Sequence, residues 1–220
     1  MLKTTFQQRS PDDILTYNNL IKMILWTIHN MDWYDALLRH EIIYGNKKYI
    51  DNEWDFSLFG YHWIVKKMEQ RIGKRPFPEC YPIWAWHQYA DSKKRKPDLR
   101  NTGFLPKGTK GVRVEINKKD EDVLLSDFML WSFPFGFQSF IGQNEEESIA
   151  FETMLEEKSL DQKKIEELPE KIQKQIIKSW DSVLDINFYD SYHTQPKAIQ
   201  ATFWSLSIDE IVKVDKFIAR

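Results

Sequence analysis

Cys80 is the only cysteine in 220 residues. A single thiol closes no internal disulfide and builds no zinc cluster, so the chain reads as a protein of a reducing, cytoplasmic setting. Nothing around Cys80 resembles a nucleophile signature, and its place beside Tyr81 points to a structural thiol. No apolar run approaches the roughly 18 residues that span a bilayer, and the N-terminal MLKTTFQQRSPDD lacks a signal peptide's apolar stretch. A membrane partner is therefore not expected. Charge of one sign is also missing. The net charge is -2, so no global basic field draws in nucleic acid, and only a local patch could do so.

Several catalytic signatures are absent as well. There is no glycine-rich phosphate loop, no G-x-G-x-x-G after a strand and no G-x-S-x-G elbow. The five histidines (His29, His40, His62, His87 and His193) have no ligand spacing, so no protein-bound metal is expected.

Aromatic residues are what the chain has in quantity: nine Trp, nine Tyr and fourteen Phe. Each buries a large area, which puts a full core within reach of a chain this size. Periodicity then divides the sequence. Residues 1–22 read as a polar arm leading into a helix that starts near Pro11. MILWTIHN reads as a buried strand, and Asn30 as the cap of a helix, MDWYDALLRHEII, stopped by Gly45. Trp54, Leu58, Tyr61, Val65, Met68 and Ile72 recur at three and four, predicting a helix over 54–72.

YPIWAWHQY, GVRVEIN, DVLLSDF, AIQATFWSL and IVKVDKFIA read as further strands. In the first of these Trp84 and Trp86 share one face, with Ile83, Ala85 and His87 on the other. WSFPFGFQSFIG is aromatic and irregular. Charged helices occupy 144–180, broken at Pro169, with Ile172, Ile176, Ile177 and Trp180 as an inward stripe. SIDE, over 207–210, resembles a capping box. The expected fold is α+β: one domain over 23–220, with a mostly antiparallel sheet of five to six strands, flanking helices and a helical insertion near 144–180.

The densest stretch is 81–100, YPIWAWHQYADSKKRKPDLR. It combines two tryptophans, His87, a basic run and a Pro-Asp-Leu-Arg turn, and its long loop is of the kind that often carries function. Together with WTIH, YHWIVKKMEQR, VLLSDFMLW, SWDSVLDI and IQATFW, it resembles the bacterial and phage family catalogued as domain of unknown function 3841, over about residues 23–218. That resemblance implies membership and no established activity. Family members carry Gln as often as His at the position of His29, so the resemblance does not make His29 an indispensable acid or base.

The polar candidates are His29, His87, Lys96, Asp98, Arg100, Ser126, Asp127 and Gln200, with Trp84 and Trp86 as stacking surfaces. Each also has a plain structural role open to it. The histidines can be satisfied strand residues, Asp98 can hold a turn, Asp127 can cap the next segment, and the tryptophans can be packing.

A strand ending in His29, a helix offering Tyr61 and a late strand bearing Gln200 resemble the layout of the ADP-ribosyltransferase-like fold. That layout implies NAD as cofactor and His29, Tyr61 and Gln200 as the catalytic set. Lys96 and Arg100 would grip the pyrophosphate. Gln200 lacks the charge of a catalytic carboxylate, and Glu210 lies ten residues on. The competing expectation is a non-catalytic module that binds a nucleotide or nucleic acid through the basic loop and its aromatic neighbours. A third is a protein-binding role for the acidic face of the 144–180 helices.

Overall fold

The computed structural model describes residues 22–47, 57–188 and 197–220. The expected N-terminal arm and helix, the connection at 49–52 and the expected helix start at Trp54 lie outside these residues, as does His193.

The fold is α+β. Six strands build its centre: β1 (Lys22–Asn30), β3 (Ile83–Gln88), β4 (Lys110–Lys119), β5 (Leu124–Asp127), β6 (Ile199–Phe203) and β8 (Ile211–Ile218). They form one wholly antiparallel sheet in the order β5-β6-β3-β1-β4-β8. A separate two-stranded ladder pairs β2 (Ile42–Tyr44) with β7 (Ser205–Ser207). The helices are α1 (Met31–His40), α2 (Ser57–Arg71), α3 (Glu145–Glu157) and α4 (Glu170–Ser179). Both α3 and α4 fall in the chain between β5 and its sheet neighbour β6. No described helix is long and apolar enough to cross a membrane.

Side chains alternate across a strand, so each strand feeds two different layers. Leu25, Ile83, Ala85, Val112, Val114, Ile116, Ala201 and Phe203 form one buried cluster with Leu37 of α1. On the opposite face Trp84 and Leu124 join Trp63, Ile64, Val65 and Met68 of α2, together with Trp131, Ile172, Ile176 and Trp180. The predicted stripe of α2 is therefore too narrow. Trp63 and Ile64 are buried too, because turns from 129–137 and 180–184 cover that side of the helix.

Two element boundaries differ from the periodicity. The helix after Asn30 stops at His40, where Glu41 takes a left-handed conformation (φ 60) and its N–H bonds Leu37 O. The apolar pair Ile42–Ile43 then enters the small ladder rather than extending the helix. Gly45 serves that ladder in another way. A Cβ there would lie 1.9 Å from the Tyr81 carbonyl oxygen, so the close approach of the two chain segments requires glycine. Elsewhere the local signals hold: Asn30 accepts from Trp33 N, and Ser207 and Glu210 form the capping box.

Candidate functional site

Register across the large sheet aligns six residues in one row. Ser126 opposes Gln200, Gln200 opposes Trp86, Trp86 opposes Trp26, Trp26 opposes Glu115, and Glu115 opposes Lys213. All six lie on the α2 face of the sheet, and neighbouring strands are about 4.8 Å apart. The row therefore runs from a small buried hydroxyl through an amide and two indoles to a carboxylate and an ammonium.

The middle of this row is aromatic and partly open. Trp86 is half-buried, with Tyr89 (5.1 Å between ring centroids) and Phe128 (5.0 Å) packed edge-on against it. Phe128 is 42% exposed, and Met129 next to it 59%. Phe104 extends the patch from Tyr89 at 5.5 Å. Beside Trp86, the Gln200 side chain is half-buried and makes no hydrogen bond among the described residues. An amide of this kind has two donors and two acceptor lone pairs to offer.

The basic end of the row is closed. Trp26 is 7% exposed and donates its indole N–H to Glu115 Oε2 at 2.9 Å. Lys96 reaches the same oxygen at 3.2 Å and Asp215 Oδ2 at 3.3 Å. Arg95 lies over the Trp26 ring, 5.7 Å from its centroid, and donates to the His87 carbonyl. Arg113 ties the loop down further by binding the Pro97 carbonyl and Asp215. The Trp26 hydrogen bond, helped by Lys96, holds the Glu115 carboxyl below its usual range, and Arg113 does the same for Asp215. The 93–97 run, expected as a free basic loop, is thus partly folded back onto the sheet. Lys93 and Lys94 remain exposed.

The remaining candidates fall elsewhere. His29 lies on the opposite face of the sheet, stacked on Trp33 at 3.8 Å. The Thr27 hydroxyl gives its only proton to Trp84 O and therefore accepts from His29 Nε2, which makes His29 the neutral Nε2–H tautomer. Burial drives its pKa down to about 3. His87 stands at the β3 bulge, where Arg95 donates to its Nδ1. Burial, and then the Arg95 charge, lower its pKa.

Tyr61 packs among Trp84, Phe135 and Tyr81, and burial raises its phenol pKa. Ser126 is buried and accepts from Trp131 Nε1 at 3.0 Å. Asp127 is 1% exposed; it accepts from Met129 N and pairs with Lys197 at 3.2 Å, so it caps the turn that follows β5. Asp98 and Arg100 bind each other through both carboxylate oxygens, and Asp98 also accepts from Arg100 N. The Arg100 hydrogen bonds take Asp98 down to about 2.

Of the residues singled out in the sequence, then, Trp86, Gln200 and Ser126 share the row, and Lys96 ends on it through Glu115. Trp84 and Tyr61 are neighbours within the core on that face. His29, Asp127 and Arg100 do not join Trp86 and Gln200 in one cleft. Sequence reasoning missed Trp26, Glu115, Arg95, Tyr89 and Phe128. A signal for Glu115 was present: the alternation of GVRVEIN puts Arg113, Glu115 and Asn117 on a single polar face.

The described residues hold no group of three or more His, Cys, Asp or Glu side chains placed to bind a metal ion. The profile described as Domain of unknown function (DUF3841) matches residues 24–212, most of the chain, and the chain belongs to that family. No curated protein and no solved structure matches it.

Proposed function

We propose that this member of the DUF3841 family is a binding protein that holds a planar heteroaromatic ring, such as a nucleotide carries, against Trp86 without transforming it. The observation that carries the reading is the pairing of a partly exposed indole with an unengaged amide, Gln200, directly across the β3–β6 ladder. Stacking on an aromatic side chain favours any base, and a glutamine amide can match the donor and acceptor pattern of a base edge. Tyr89 and Phe128 hold the Trp86 ring edge-on and pre-organise it.

The charge arrangement narrows the ligand class. Lys96 and Arg100 are both engaged by carboxylates, and Arg95 lies on Trp26. Few cations of this loop are left for a phosphate backbone, so affinity should come from the ring. A nucleoside or mononucleotide fits better than a polynucleotide. The single buried thiol suits a cytoplasmic setting for such a protein.

The transferase reading has less to rest on. His29 is neutral and on the other face, and Tyr61 is surrounded by rings. The row offers no carboxylate closer to Gln200 than Glu115, three strand spacings or about 14 Å away. Glu210, the alternative carboxylate, pairs with Lys118 at 2.7 Å and accepts from Ser207 N.

Calorimetric titration with adenosine, AMP, NAD, ADP-ribose and a short single-stranded RNA tests the proposal. The expected result is binding of at least one base-bearing small ligand, little changed between low and moderate salt. Trp86→Ala should weaken it by roughly 10-fold or more, in line with ~1–3 kcal/mol per stacked base, and Gln200→Leu should change which base is preferred. No binding of any base-bearing ligand overturns the reading. Release of nicotinamide from NAD would replace it with the transferase.

A further inference from the structure

α3 and α4 pack loosely, leaving a groove of about 1040 Å³ between them. The sequence explains the looseness. α3 has no buried residue, and its apolar side chains are half-covered at best. Phe140 and Phe151 stack at 4.1 Å and, with Met154 and Ile172, make an apolar lining. The two helices run antiparallel, because Ile141 N binds Ser179 Oγ and Trp180 Nε1 binds Ser139 O where α3 begins and α4 ends. From Glu147 to Lys158 the groove follows α3 for about 16 Å.

Charge is distributed unevenly along it. At the end where α3 stops and α4 starts, Lys158 and Lys171 line the groove, and neither has an ion-pair partner among the described residues. At the other end the two carboxylates are engaged: Asp181 by Lys67 at 2.5 Å, and Glu147 by the Gln143 N–H at 2.6 Å. Lys178 lies on that side. The groove is therefore mainly apolar, with Gln175 part-way along it; among the described residues two unpaired ammonium groups stand at one mouth, whereas at the other the unpaired Lys178 shares its end with the Asp181 and Glu147 carboxylates.

We propose that this groove binds a single anionic amphiphile, a long-chain carboxylate, with its acyl chain along Phe151 and Met154 and its head between Lys158 and Lys171. An open, lysine-rimmed apolar trough of this length matches a chain with one anionic end. An uncharged chain leaves the two lysines unused, and a small anion leaves the apolar lining wet. Neither Trp86 nor Gln200 takes part, so this site stands or falls independently of the base-binding reading.

The test is calorimetry of the full chain with monomeric dodecanoate, dodecanol as the uncharged control, and phosphatidylglycerol vesicles as the membrane control. Saturable one-to-one binding of dodecanoate is expected, at least tenfold tighter than dodecanol. The double variant K158A/K171A should raise Kd at least tenfold while circular dichroism stays unchanged, since both side chains are on the surface. Met154→Trp, which fills the groove, should abolish binding. Absence of dodecanoate binding, equal binding by the double variant, or binding to vesicles alone would each overturn the proposal.

Discussion

The Trp26 indole and the Glu115 carboxylate meet across the β1–β4 ladder at 2.9 Å, and this contact closes one end of a row of residues whose middle, at Trp86 and Gln200, is partly open. Lys96 lands on the same oxygen, one of several contacts that fasten the loop after β3 to the sheet. Glu115→Ala should therefore cost about 1–3 kcal/mol in urea unfolding, the usual cost of stranding a buried polar group. Glu115→Gln, which keeps an acceptor, should lose less. Because the folded carboxyl titrates below its ordinary 4.5, its contribution is full above pH 4.5 and disappears as the pH falls through the lower folded value. The Gln variant should lack that acid-side loss. Equal acid sensitivity of wild type and variant would contradict the assignment.

His29 gives a second pH dependence, again on the acid side but in a higher window. Burial lowers its pKa from 6.5 to about 3. Below pH 6.5 the unfolded chain takes up a proton that the folded chain refuses. Stability from this site is complete above 6.5, declines as the pH drops, and is exhausted near 3, with a limiting slope of about 1.4 kcal/mol per pH unit. His29→Gln should flatten the unfolding profile between those limits. It should also leave nucleotide binding unchanged, since the ring is on the far face from Trp86.

Lys96 and Arg100 looked equivalent in the sequence and should behave differently. Lys96 bridges Glu115 and Asp215, so Lys96→Ala should cost about 1 kcal/mol and loosen the 91–109 loop, visible as faster amide exchange there. Arg100 is 78% exposed and, among the described residues, bound only to Asp98 two residues away. Arg100→Ala should leave the unfolding midpoint where it is. A large shift for Arg100 and none for Lys96 would reverse the two roles.

Cys80 should be silent. It is fully buried, and burial pushes its thiol up to about 11, so little thiolate exists at neutral pH. Labelling with a thiol reagent should proceed only as fast as the protein opens and should slow further with any stabilising ligand. Fast labelling of the native chain would show that the β2–β7 ladder beside Cys80 opens locally.

Much of this architecture was legible before folding because it depends on nearest neighbours. The alternation of YPIWAWHQY separated Trp84 and Trp86 from Ala85 and His87, and Asn30 and the SIDE box marked helix and turn starts. The site was harder to see. Trp26 and Glu115 are 89 residues apart, and nothing in either strand says that they pair. The loop lysine, Lys96, read as a free cation because the acids that neutralise it, Glu115 and Asp215, arrive from β4 and β8.

Composition and periodicity by themselves determined an α+β protein with five to six strands, a structural thiol and charged helices over 144–180, because alternation and capping are set by residues a few positions apart. Tertiary structure alone decided that Gln200 sits beside Trp86, that His29 faces away, and that Lys96 is an anchor and not a free hand. Those outcomes depend on strand order and register. Register is set by the summed burial of both sheet faces, which no local window of sequence contains.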